Sequence, residues 1–180
     1  MLYKKNRLLS FRGTGIMQKQ FIFRRKKMET KTDYTALCQR LEALIQGVPY
    51  NVANLANTSA LLWQELADIN WAGFYTLEGS TLILGPFQGK PACIEIPVGR
   101  GVCGTAVAEN KTQLVPDVHA FPGHIACDGA SNSEIVVPIR KNGQIWGVLD
   151  IDSPSFCRFT EEDRTGLEKV AEIISFSLLT

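Results

Sequence analysis

The sequence predicts an α+β fold, a central antiparallel sheet of about six strands with helices packed on it. Three observations carry that reading. Apolar residues recur at helical spacing in the segments that open and close the body of the chain. Between them the period changes to two, the mark of a half-buried strand. The order is two helices, three strands, a helix, a short strand, a strand pair and a last helix, which is not the regular strand–helix alternation of a parallel sheet.

Each element has its own justification. "TDYTALCQRLEALIQG" offers an N-cap at Thr32 or Asp33, a stop at Gly47, and Leu37, Leu41, Leu44 and Ile45 on one face with Cys38 beside them. "YNVANLANTSALLWQELADI" gives a second helix with Val52, Leu55, Leu62, Leu66 and Ile69 as its buried side. "WAGFYTLE" and "STLILGPF" read as strands joined by a turn at Gly79-Ser80, and "ACIEIPV" as a third strand that includes Cys93. "GRGVCGTAVAEN" is a tight glycine turn into a helix opened by Cys103, and it lacks the GK[ST] ending of a phosphate-binding loop. "TQLVPDV" is a short strand. A long loop then holds Cys127, an odd position for a residue that is usually buried. "SEIVVPIRKNGQIWGVLDID" is a hairpin around Asn142-Gly143, and the last helix starts at Thr160 with Asp163 as a capping partner.

The hairpin register decides which side chains meet. A two-residue Asn-Gly loop would pair Ile135 with Asp150 and mix charge into the apolar face. A three-residue loop, Lys141-Asn142-Gly143, pairs Ile139 with Ile145, Val137 with Gly147 and Ile135 with Leu149, so that one face is wholly apolar. The expected register is therefore the second, with Glu134 opposite Asp150 and Asp152 next along. Three carboxylates then converge, and like charges opposed across a sheet destabilise it. A solvated strand end, a hard metal, a retained proton or a cationic ligand could each compensate. Trp71, Phe74 and Tyr75 on the first strand favour an ammonium group with an apolar tail, although Phe74 also reads as plain core.

Composition narrows the function classes. The chain has 180 residues, 45% hydrophobic and 21% charged, enough for one cored domain. No apolar run is long enough to span a bilayer, so a membrane partner is not expected. Nine of the nineteen basic residues lie in residues 1–27 with no acid among them, which leaves a body of net charge −8. An acidic body argues against nucleic acid as a partner. Residues 1–28 are expected to be a basic leader, disordered or ahead of the natural start at Met17 or Met28. The five cysteines, Cys38, Cys93, Cys103, Cys127 and Cys157, are odd in number and contain no CxxC pair. They point to cytoplasmic thiols rather than a secreted disulfide framework or a zinc site.

"WAGFY" at 71–75, "GRGVCGTA" at 99–106, "HIACDGASNSEIVVPI" at 124–139 and "GVLDIDS" at 147–153 together resemble the free methionine-(R)-sulfoxide reductases, which are stand-alone GAF domains. The similarity runs from about Tyr34 to the C-terminus, so residues 29–180 are expected to form a single GAF domain. The resemblance implies thiol-dependent reduction of free L-methionine-(R)-sulfoxide to methionine, with no bound cofactor or metal and with thioredoxin and NADPH as external reductant. It implies Cys127 as the nucleophile, Cys93 and Cys103 as further redox thiols with Cys93 the principal resolving one, and Glu134, Asp150 and Asp152 as substrate-contacting acids beside Trp71 and Tyr75. Glu134 or Asp152 would supply a proton. No lysine or arginine lies within a few residues of Cys127 to activate it, and His124 is the nearest basic group. A non-catalytic GAF sensor domain is the alternative. Whether the chain forms a homodimer is open at this level.

Overall fold

A computed structural model describes residues 31–123 and 129–178. The basic leader and the segment 124–128, which holds His124 and Cys127, lie outside the described residues. Two helices come first, α1 (Tyr34–Ile45) and α2 (Asn51–Glu65). The strands β1 (Trp71–Glu78), β2 (Thr81–Gly89) and β3 (Glu95–Pro97) follow, then α3 (Gly101–Glu109) and β4 (Gln113–Val115). The hairpin β5 (Ser133–Lys141) and β6 (Gln144–Ser153) leads into α4 (Glu161–Ser177). The strands form one antiparallel sheet in the order β3-β2-β1-β6-β5-β4. No helix among the described residues is long and apolar enough to cross a membrane.

The two sides of the sheet have separate cores. Ala72, Phe74, Ile135, Val137, Leu149 and Ile151 face α1, α2 and α4, where they meet Leu37, Leu41, Leu62, Leu167 and Ile174. Trp71, Tyr75, Val136 and Val148 face α3, where they meet Val102, Cys103 and Ala106. Alternation along each strand sends neighbours to opposite sides, so Phe74 leaves the aromatic pair it was grouped with. The expected helix faces are mostly right. Leu44 and Val52 are exceptions, both on the solvent side. The last helix carries a complete capping box, with Thr160 accepting from the Asp163 N–H and Asp163 from that of Thr160.

The hairpin corrects the expected register and keeps its consequence. The loop has two residues, Asn142 and Gly143, both at positive φ, as a type I′ turn requires. Arg140 pairs with Ile145, but Ile139 pairs with Gly147, so Trp146 is an extra residue in β6. Trp146 packs on the helix side and Ile145 on the α3 side. The bulge restores the even pairing that the short turn would have lost. Ile135 now stands opposite Ile151 and Val137 opposite Leu149, and Glu134 is opposite Asp152 rather than Asp150. Beyond the bulge the apolar face and the acidic face are the ones expected, but Ile145, expected opposite Ile139 on the apolar face, falls on the other side. Directly after the bulge, β1 and β6 come so close that a Cβ on Gly147 would collide with the Tyr75 carbonyl oxygen.

Cys93 is also displaced from its expected place. The third strand begins at Glu95, so Cys93 lies in the loop ahead of it. Its carbonyl accepts from the Tyr75 hydroxyl at 3.0 Å instead of joining the sheet ladder, which the chain enters only where Ile94 accepts from the Leu84 N–H.

Candidate active site

The sheet lines up the acidic face in two rows. In the first, Trp71 pairs with Asp152, and Asp152 pairs with Glu134. In the second, Phe87 pairs with Gly73, Gly73 with Asp150, and Asp150 with Val136. Glu134, Asp150, Asp152, Trp71 and Tyr75 therefore share one side of three adjacent strands. Gly73 leaves room beside Asp150. A Cβ there would lie 2.7 Å from the Trp71 ring, so the indole leans across the glycine.

The aromatic wall is fixed by polar anchors at its rim. Trp71 donates its indole N–H to the Lys90 carbonyl at 3.1 Å, and Tyr75 is held by Cys93. The two rings stack with centroids 5.9 Å apart. Phe87 of β2 also stacks on Trp71, with centroids 5.2 Å apart. Sequence reasoning missed Phe87, because it is out of phase with Leu82 and Leu84 and reaches this side only through the irregularity in the β1–β2 pairing. Rings held by their polar ends present rigid apolar faces to whatever lies over the acids.

Cys103 reaches the same place from α3. Gly99 and Gly101 take positive φ, and a Cβ on Gly104 would strike the Pro97 carbonyl, so the glycines let the helix start tight against the sheet. Cys103 is 3% exposed, and its sulfur and the Glu134 and Asp150 carboxylate oxygens lie within 4.8 Å of one another. Burial pushes the Cys103 thiol well above its ordinary range, and the charges of Asp150 and Glu134 push it further. Glu134 is raised well above a normal carboxyl by burial and by the charges of Asp150 and Asp152. Asp150 is raised to about 6 by burial, and hydrogen bonds from Cys103, Glu134 and the Ile151 N–H hold it from going higher. Burial thus favours the protonated forms of Cys103 and Glu134, which can donate hydrogen bonds to Asp150, the least raised acid of the three.

One atom is left over. Asp150 Oδ1 is buried and has no hydrogen-bond partner among the described residues. A buried carboxylate oxygen without a partner costs about 1–3 kcal/mol or more, so a donor belongs there. The three ligand atoms are close enough for one small cation, but a metal would have to displace protons from Cys103 and Glu134. An ammonium group needs no such displacement. It adds N–H donors and a positive charge where acceptors and negative charge already are.

The described stems of the Cys127 loop are tied down. Gly101 donates to the Gly123 carbonyl at 3.2 Å on the near side. On the far side the Asn70 amide reaches Ser131 at 3.0 Å, the Asn132 N–H reaches Ser153, and Asn132 bonds to His119 and Pro154. Ser133, fully buried, donates to the Ser155 carbonyl at 2.6 Å. Asn70, Ser131, Asn132 and Ser133 were not among the expected site residues. The run "SNS" before a strand was their only signal, and it is a common loop composition. Cys93 is disulfide-bonded, while Cys38, Cys103 and Cys157 carry free thiols.

Known proteins resemble the chain in sequence and in fold. Residues 36–178 match the GAF domain family. The free methionine-R-sulfoxide reductase of Escherichia coli is 60% identical over 151 residues, 83% of this chain and 92% of that protein. The structure of fRMsr of Staphylococcus aureus in its reduced form superposes with a TM-score of 0.81 at 55% identity, over 83% of this chain and 97% of that one. Free methionine-R-sulfoxide reductase from Neisseria meningitidis, in complex with its substrate, gives 0.78 at 43% identity over 80% and 87%.

Proposed function

The chain belongs to the GAF domain family and, within it, to the free methionine-R-sulfoxide reductases; from that premise we propose that it reduces free L-methionine-(R)-sulfoxide to L-methionine. The observation that carries this reading is the buried Asp150 carboxylate, with an unpartnered oxygen, beside the Trp71 and Tyr75 rings. The acids take the α-ammonium group and the rings take the S-methyl end. A GAF domain that only senses a ligand would have no use for the three cysteines, Cys93, Cys103 and Cys127, that the chain shares with the reductases.

The chemistry divides among three thiol steps. The Cys127 thiolate attacks the sulfoxide sulfur, which carries a partial positive charge. Protonation of the sulfoxide oxygen lets the S–O oxygen transfer to Cys127, so methionine leaves and a cysteine sulfenic acid remains. Glu134 serves as the acid, because burial and its acidic neighbours keep its proton in place at neutral pH. The Cys93 thiol then attacks the sulfenic sulfur, a disulfide forms, and the oxygen departs as water. Thioredoxin, recharged by NADPH, reduces that disulfide by thiol exchange and closes the cycle. The disulfide-bonded state of Cys93, with the three other described cysteines free, supports Cys93 as the resolving residue for Cys127. Residues 29–180 are sufficient for the activity, and residues 1–28 are dispensable.

The test is NADPH consumption with thioredoxin and its reductase, on the R and S forms of free methionine sulfoxide. Turnover of the R form alone is expected, and Cys127→Ser should lower single-turnover methionine formation by about three powers of ten or more. Equal use of both forms, or substantial methionine from the variant, would overturn the reading.

A further inference from the structure

Cys103 is the nucleophilic group that the proposed mechanism leaves without work. The resemblance in sequence suggested a redox role for it, but its surroundings argue for another. It is 3% exposed, on the third residue of a helix held down by Gly99 and Gly104, and its thiol is free while Cys93 is not. A resolving thiol must ionise and approach a partner sulfur, and both needs favour an accessible residue in a positive environment. Cys103 has the reverse. Glu134 of β5, Asp150 and Asp152 of β6 and Tyr75 of β1 all act on it or lie around it, and none of them is cationic.

We infer that Cys103 is a positioning residue whose S–H donates permanently to the Asp150 carboxylate, holding that group ionised and oriented for the substrate ammonium, and that it does not enter the disulfide cycle. The inference rests on the reading of Asp150 as the ammonium acceptor. The Glu134 carboxyl from β5 and the Cys103 sulfur from α3 both lie within 4.8 Å of the Asp150 carboxylate, and hydrogen bonding from each lowers its pKa. Together with the Ile151 N–H they offset part of the cost of burying its charge. One oxygen, Oδ1, has no partner among the described residues and is open to the ligand. A thiol suits this duty because it is a donor small enough to sit under Val102 and Ala106 and adds no charge of its own.

Serine and alanine separate the two roles. Cys103→Ser keeps an O–H donor and should retain thioredoxin-linked turnover within about threefold, whereas a lost hydrogen bond to a charged group in Cys103→Ala should raise KM about tenfold with little change in kcat. Carbon-13 NMR titration of the Asp150 carboxyl reads the same interaction without turnover. Its midpoint should move up by about one pH unit in Cys103→Ala and stay near the wild-type value in Cys103→Ser. Two results would overturn the inference: an unmoved Asp150 midpoint in Cys103→Ala, or a Cys103→Ser enzyme that keeps single turnover but loses thioredoxin-linked cycling. Failure of the underlying reading would show differently, as wild-type and variant enzymes that share one KM for substrate while the NMR midpoints still differ.

Discussion

Asp163 and Asp150 are equally buried, each 7% exposed, yet the protein treats them in opposite ways. Asp163 sits at the start of α4. It accepts from the Tyr34 hydroxyl at 2.7 Å, from the N–H and hydroxyl of Thr160 at 2.8 Å, and from Arg158 at 3.3 Å. Burial alone would raise it, but these donors and the guanidinium charge outweigh burial and hold it below the ordinary carboxylate range. Asp150 has no cation among its described neighbours, shares its space with Glu134 and Asp152, and keeps an oxygen unpartnered. Burial wins there, and the group moves up to about 6. The first arrangement is what a folding contact looks like. The second is incomplete until something cationic arrives, and such an arrangement marks a candidate ligand site.

The largest contrast should come from removing each charge. Asp150→Asn is expected to lower kcat/KM about a hundredfold, the loss of a charge-assisted hydrogen bond to the ammonium. It should leave the melting temperature unchanged or raise it, because a disfavoured buried charge is gone. Steady-state kinetics and a thermal melt on one preparation check both halves, and a variant that binds normally but unfolds easily would place Asp150 with Asp163. Asp163→Asn should do the converse. Removing the carboxylate from Arg158 and the α4 cap should cost about 2–3 kcal/mol of stability, measured by urea unfolding, with KM unchanged.

The same two residues should give stability slopes of opposite sign. Asp163 is lowered in the fold, so its contribution is present above the unfolded carboxylate value and is lost as pH falls through the folded one. Asp150 is raised, so the fold binds more protons there than the unfolded chain does, and its contribution falls as pH rises from about 4 to about 6. Subtracting each Asn variant's stability curve from that of the wild type isolates these slopes. Matching slopes would remove the distinction. Ligand capture follows the ionised form of Asp150, so kcat/KM should fall about tenfold per unit below an apparent pKa of about 6. A flat profile between pH 5 and 7 would show that another group receives the ammonium.

How legible this was depends on which forces act locally. The β1 strand and the helix N-caps were readable because alternation and capping are short-range signals. The acidic face was readable as well, since any register that kept Ile135, Val137, Leu149 and Ile151 together had to place Glu134, Asp150 and Asp152 opposite them. The Trp146 bulge was not. A short Asn-Gly turn and a parity-restoring insertion are one solution, and a longer loop is another. Which one forms depends on the helix-side core that receives the Trp146 ring. Cys93 in a loop rather than a strand was hidden for the same reason, because its carbonyl is taken by a tyrosine eighteen residues away. The stem contacts of Asn70, Ser131 and Asn132 join segments far apart in sequence, and nothing in their composition distinguishes them from ordinary turn residues.

The claim that the incomplete pocket around Asp150 reads the free α-ammonium group is tested most directly with two substrates on two enzymes. Free and N-acetylated methionine-(R)-sulfoxide differ at that nitrogen, which is charged in the first and a neutral amide in the second. The wild-type enzyme should prefer the free form by about two powers of ten in kcat/KM. In Asp150→Asn the preference should shrink to a few-fold, because the variant loses efficiency on the free form far more than on the acetylated one. Equal wild-type efficiency on both substrates, or a preference that survives intact in Asp150→Asn, would contradict the account.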